Sequence, residues 1–227
     1  MPVFLLSDNI AFPPVHLASK SGLLAVGGDL SQERLLCAYR LGIFPWFSEK
    51  EPILWWAPDP RLVLYPDELK IARSLKKIIK KKIFEITADT AFEQVINQCA
   101  KVRLQNNEPT WIVEDMIRAY IHLHESGIAH SVEAWHNNKL VGGVYGVSIG
   151  RCFFGESMFT LKSNASKVAF VRLVEYLKQE SFQLIDCQMT TEHLLRFGAK
   201  VIPRKLFTKQ LHRAVNEPCH CNRWALD

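Results

Sequence analysis

This sequence predicts an α+β fold, and three observations lead there. Ahead of His130 the apolar residues recur with the helical period; from His130 they alternate with a period of two over three consecutive segments; helix, strand and helix then follow in turn. The opening, from Phe4 to about Tyr65, is instead rich in Pro and Gly. The 227 residues are therefore read as a small mixed N-terminal domain over 1–65 and a larger domain over 66–227 with the sheet in its C-terminal half. A content of 48% hydrophobic and 22% charged residues is enough to bury a core.

The first helix runs from Gln32 to Tyr39, with Ser31 as its cap. A basic helix over 70–82 follows, then a strand at Ile83 to Thr87. Thr90 and Glu93 have capping-box spacing ahead of a helix from Ala91 to Lys101. The next helix spans Glu114 to Glu125 and stops at Gly127, which tolerates a left-handed cap. His130 to Trp135, Lys139 to Val147 and Cys152 to Phe159, separated by Asn137-Asn138 and Ile149-Gly150-Arg151, form an antiparallel meander. Ser163 or Asn164 caps a long helix to Gln179; Phe182 to Gln188 is a strand, and Glu192 to Phe197 a last helix ending at Gly198.

Charge is concentrated in one place. Lys70, Arg73, Lys76, Lys77, Lys80, Lys81 and Lys82 carry +7 with no acid among them, so a net charge of +5 leaves −2 for everything else. Ile71, Leu75, Ile78 and Ile79 share one helical face, while Arg73, Lys77, Lys80 and Lys81 gather on another. A solvated face is the plain alternative, but seven like charges repel, which favours a polyanionic partner. No run approaches the roughly 18 apolar residues of a membrane span, and the first residues lack the pattern of a secretory signal, so no membrane partner and a cytoplasmic location are expected. The six Cys are expected as free thiols. Cys219-His220-Cys221 invites a metal but lacks a second ligand pair at zinc spacing, so no metal is assigned.

Between Gly42 and Arg61, Phe44, Trp46, Phe47, Trp55 and Trp56 are interleaved with Pro45, Pro52, Pro58 and Pro60. Four prolines exclude one long helix or a central strand, leaving a rigid aromatic shelf that either plugs the core or stacks a planar ligand. In Leu184-Ile185-Asp186-Cys187-Gln188, alternation puts Asp186 and Gln188 on one face and Cys187 on the other. Two polar groups on an apolar strand indicate either a cleft or a hydrogen-bonded network. Glu156 and Ser157 likewise interrupt the aromatic strand Cys152-Phe-Phe-Gly-Glu-Ser-Met-Phe159; Glu156 either pairs with a base or attracts a cationic substrate. His130 and His193 have no partners at ligand spacing and are read as structural.

The run from Gly22 through Asp29, the run from Phe44 to Arg61, Gly155-Glu-Ser-Met-Phe159, Asn164-Ala-Ser-Lys167 and Leu184-Ile-Asp-Cys-Gln188 together resemble the bacterial leucyl/phenylalanyl-tRNA–protein transferases, over about Phe12 to Arg204. The resemblance implies an acetyltransferase-like (GNAT) catalytic domain over 66–227. It also implies transfer of Leu or Phe, less readily Met, from aminoacyl-tRNA to proteins beginning with Arg or Lys, marking them for N-end rule degradation, with no cofactor. By resemblance, Trp46 and Trp111 border the site of the 3′-terminal adenosine, and Arg73, Lys77 and Lys80 hold the acceptor stem by its phosphates. The aminoacyl side chain enters a pocket of Phe153, Met158, Phe170, Leu173 and Ile185. Gln188 accepts a hydrogen bond from the attacking amine, Asp186 orients and polarises its amide, and Glu156 meets the acceptor's basic side chain. The chain departs from the family pattern at Val144, where the family has Met, and at Leu173, where it has a bulkier aromatic. The tail from about Lys205 matches no motif.

Two rivals remain. An acetyl-CoA-dependent acetyltransferase needs a Gly-rich pyrophosphate loop, and Thr160-Leu-Lys-Ser-Asn-Ala165 has no glycine, so no acetyl-CoA is expected. An RNA-binding module would use the basic stripe and the aromatics but leave Asp186 and Gln188 idle.

Overall fold

The computed structural model describes residues 3–105, 110–218, 224 and 226, and the expected α+β class holds. In chain order the elements are β1 (Phe4–Leu6), β2 (Leu23–Gly27), α1 (Gln32–Arg40), β3 (Phe44–Pro45), β4 (Leu54–Trp56), β5 (Arg61–Leu64), α2 (Arg73–Lys80), β6 (Glu85–Ala88) and α3 (Phe92–Gln105). They continue with α4 (Glu114–Glu125), β7 (Ala129–His136), β8 (Lys139–Ile149), β9 (Cys152–Thr160), α5 (Ala165–Gln179), β10 (Leu184–Asp186), α6 (Glu192–Leu195), β11 (Lys200–Ile202) and α7 (Arg204–Asn216).

Two sheets form. The smaller has the order β1-β2-β4-β3 and belongs to the Pro-rich opening; the larger has the order β11-β5-β10-β9-β8-β7-β6. The meander β7-β8-β9 is antiparallel, and β10 joins β9 in parallel after the α5 crossover, which is the meander, helix and strand unit that the resemblance implies. β5 lies before residue 65 in sequence, yet it is hydrogen-bonded between β11 and β10 in the larger sheet.

The core is divided by this sheet. Strand alternation sends Tyr145, Val147 and Phe154 toward α3 and α4, and Val132, Ala134, Val144 and Phe153 toward α5. Each fully buried Val, Leu, Ile or Phe contributes about 1.5–3 kcal/mol.

Several elements differ from their sequence reading. The basic helix expected over 70–82 is shorter, Arg73–Lys80, because Ala72 ahead of it is extended at ψ 145° and Lys82 turns to φ 50°. Thr90 does not close a capping box; its hydroxyl donates to Glu133. Asn164 precedes α5 at φ 70°, with no side-chain cap bond. The strand expected over Phe182 to Gln188 covers only Leu184–Asp186, because the Phe182 N–H is still bonded back to the Leu177 carbonyl of α5 and Gln188 turns to φ 59°. The helix from Glu192 ends at Leu195 and is not the last, since α7 follows. α4 matches its expected span and is followed by Gly127 at φ 71°. Cys219-His220-Cys221 lies outside the described residues. Among the described residues no helix is long and apolar enough to cross a membrane.

Candidate active site

A cavity of about 450 Å³ opens between the aromatic shelf, strands β8 to β10, helix α5 and the segment after β10. Its apolar wall is formed by Val144, Phe153, Met158, Phe170, Leu173 and Ile185, and its mouth by Trp46, Arg103 and Trp111. Of the thirteen residues to which the resemblance gives a role in the site, nine line it: Trp46, Trp111, Phe153, Glu156, Met158, Phe170, Leu173, Ile185 and Gln188. Asp186 does not line it, and neither do Arg73, Lys77 and Lys80, which are exposed on α2.

The shelf divides between core and surface. Phe44, Phe47 and Trp55 are buried in the core, with Trp55 Nε1 donating to the Gly27 carbonyl at 2.9 Å. Trp46 stays 37% exposed and meets Trp111 edge to face, the ring centroids 6.1 Å apart. Trp56 holds the shelf by donating from Nε1 to the Trp46 carbonyl. The Arg103 guanidinium lies 4.1 Å above the Trp111 ring, a cation–π contact that sequence reading missed.

Beside the cavity lies a buried polar network. The Asp186 carboxylate, wholly buried, takes a two-pronged bond from Arg61, at 2.8 Å from Nε and 2.6 Å from Nη2. The Arg61 guanidinium is in turn sandwiched between the Phe44 and Phe207 rings, 4.7 Å from each centroid. A buried pair of this kind is retained only when its geometry is good and every donor is used. Asp186 Oδ1 also accepts the Gln188 N–H at 2.9 Å, which pins Gln188 in its left-handed conformation.

Asp186 therefore reaches the backbone of Gln188 and not its amide, as the reading of one shared strand face had it. The amide is held by Glu156: Gln188 Nε2 donates to Glu156 Oε1 at 2.8 Å. The same carboxylate accepts from Tyr39 at 2.7 Å and Tyr120 at 3.1 Å, and the two phenols contact each other. Burial pushes the Glu156 carboxyl up to about 7, against the opposing pull of its three hydrogen bonds. With Asp186 turned inward, Glu156 is the only carboxylate among the described residues that lines the cavity.

Because the strand ends at Asp186, Cys187 lines the cavity instead of facing away from it. Burial pushes its thiol well up, which leaves it protonated and a poor nucleophile. His193, read as structural, also lines the cavity and stands edge-on to Phe197; burial lowers its pKa. Tyr39, Tyr120 and Arg61 were not found from sequence. Each lies far from its partner along the chain, and a lone Tyr or Arg in an apolar segment carries no spacing signal.

Comparison with known proteins places these features in a family. The model described as leucyl/phenylalanyl-tRNA protein transferase matches residues 63–212, and that of the leucyl/phenylalanyl-tRNA protein transferase N-terminal domain matches 28–59. A protein of Syntrophobacter fumaroxidans named leucyl/phenylalanyl-tRNA–protein transferase is 57% identical over 99% of this chain and 96% of its own length. A protein of the same name from Desulfatibacillum aliphaticivorans is 56% identical over 100% of this chain and 97% of its own. Among solved structures, FemX overlaps 76% of this chain and 66% of its own at 8% identity and a TM-score of 0.49.

Proposed function

The chain belongs to the leucyl/phenylalanyl-tRNA–protein transferase family, and from that premise we propose how its cavity performs the transfer. The donor is Leu or Phe, less readily Met, esterified to tRNA, and the acceptor is the α-amine of a protein beginning with Arg or Lys. The product then enters N-end rule degradation in the cytoplasm.

The observation that carries this reading is one cavity joining an apolar pocket to a single oriented amide. The donor side chain fills the pocket of Phe153, Met158, Phe170, Leu173 and Ile185, while the terminal adenine stacks at Trp46 and Trp111. Arg73, Lys77 and Lys80 of α2 hold the acceptor stem by phosphate contacts that fix position without reading sequence. An apolar pocket separates related side chains by about 1–3 kcal/mol per methylene, which fits a class of donors better than one amino acid.

An α-amine of pKa about 7.7–8.0 is roughly a tenth free base at pH 7, so little base strength is needed. Gln188 Nε2 is engaged by Glu156, so its amide oxygen is the end that can accept from the amine. The nitrogen attacks the ester carbonyl, the C–N bond forms, and the C–O bond to the ribose breaks as the amine proton passes to the departing hydroxyl. An amide is too weak a base to keep that proton; Gln188 and Asp186 act by positioning. Asp186 fixes the Gln188 backbone and Glu156 fixes its amide; in its ionised fraction, which grows as pH rises through about 7, Glu156 also supplies the negative charge that attracts the acceptor's basic side chain. The test mixes the protein with labelled Phe-tRNA or Leu-tRNA and peptides beginning with Arg or Ala. Label entering the Arg peptide alone is the expected result, and no label in the Arg peptide rejects the function.

A further inference from the structure

We propose that Trp224, in the C-terminal tail, is a specificity-determining residue: it braces the Phe153 ring from behind, sets the depth of the apolar pocket, and so biases the choice between Leu and Phe donors. This rests on the reading of the cavity as the aminoacyl pocket.

Phe153 is a pocket residue that also touches a residue of the tail. It lines the cavity, is 1% exposed, and contacts the Trp224 ring at 5.6 Å between centroids, tilted by 40°. Trp224 does not line the cavity. On the sheet side, the Phe153 ring rests on Gly146: a Cβ added there would stand 2.5 Å from Phe153 Cζ, so only glycine leaves the ring that seat. Sheet on one side and Trp224 on another leave the cavity as the direction the ring faces.

Trp224 is itself firmly placed. It is 3% exposed, stacks parallel on His130 with centroids 4.2 Å apart and planes within 5°, and tilts against Tyr176 at 4.9 Å. Its backbone N–H donates to Asp89 Oδ2, the carboxylate that also holds His130 Nδ1. Neither His130 Nε2 nor Trp224 Nε1 has a hydrogen-bond partner among the described residues. The indole therefore acts through volume, and losing volume behind Phe153 lets that ring withdraw. A deeper pocket favours the longer, flatter Phe side chain over Leu.

The experiment measures kcat/KM with Phe-tRNA and with Leu-tRNA on one Arg-beginning peptide, and reads the Phe-to-Leu ratio in folded variants. Trp224→Leu raises the ratio about tenfold, the size expected for one methylene of pocket depth, and Trp224→Phe raises it less. In a Phe153→Leu background, Trp224→Leu adds no further shift, because the transmitting ring is gone. An unchanged ratio in folded Trp224→Leu, or an equal shift in both backgrounds, overturns the proposal. A Phe153→Leu enzyme with an unaltered ratio shows instead that the cavity is not the aminoacyl pocket, and both readings fall. Trp224→Phe keeps a ring on His130, so the comparison stands even where Trp224→Leu fails to fold.

Discussion

Helix α2 and the network around Asp186 both present charge, and they do so in opposite ways. The α2 cations are exposed, of one sign and interchangeable, with only Leu75 buried beneath them. The network holds Arg61 and Asp186 at no more than 1% exposure, each with a named partner for each prong of the bond. Exposed charge of one sign works by number and is screened by salt. Buried charge works by geometry, and no second copy stands in when one member is lost.

Four measurements sharpen that contrast. The largest effect is expected for Asp186→Ala, which leaves Arg61 charged and unpaired in the core. Stability falls by about 3–5 kcal/mol in denaturant titration. Transfer is lost in the fraction that remains folded, while its tRNA affinity is retained, and a loss of affinity there would contradict the division between the two regions. Second is pH. The folded chain holds a proton on Glu156 up to about 7, whereas an ordinary Glu releases it near 4.5. The folded state therefore binds more proton in that window, and stability falls as pH rises from about 4.5 to 7, by at most about 1.4 kcal/mol per unit. Glu156→Gln removes this slope in thermal melts at stepped pH, and its amide NH2 also opposes that of Gln188, lowering kcat more than it raises KM. Third, Trp46→Ala weakens donor binding by about 1–3 kcal/mol, the value of one stacked base, read as KM for aminoacyl-tRNA. Smallest is the paired change of Lys77 and Lys80 to Ala. Losing two phosphate contacts lowers the slope of log affinity against log salt by about 1.4–1.8, and an unaltered slope would remove α2 from the tRNA site.

The two regions also differ in how far they can be read from sequence. α2 is legible because like charges and a 3.6 period are local properties; only its ends differ, set by the extended Ala72 and the turn at Lys82. The pocket wall was legible through the resemblance. The network was only half legible: alternation placed Asp186 and Gln188 together, and the early end of β10 separated their roles. β1 to β5 escaped notice because strands of two to five residues broken by Pro carry little periodic signal. α7 was missed too, although its Phe207 forms half of the sandwich around Arg61.

The position of β5 bears on how the chain is made. Its Leu64 pairs with Ile185, 121 residues later (185 less 64), and on its other edge Leu62 pairs with Val201. During synthesis this apolar strand leaves the ribosome with neither neighbour available, and at about 5–20 residues per second it waits several seconds for them. An unpaired strand edge in that interval invites association with other chains, so a nascent chain of this protein should depend on holdase chaperones until its last third emerges. Any fragment that begins after β5 would present the same gap permanently, between β11 and the rest of its sheet.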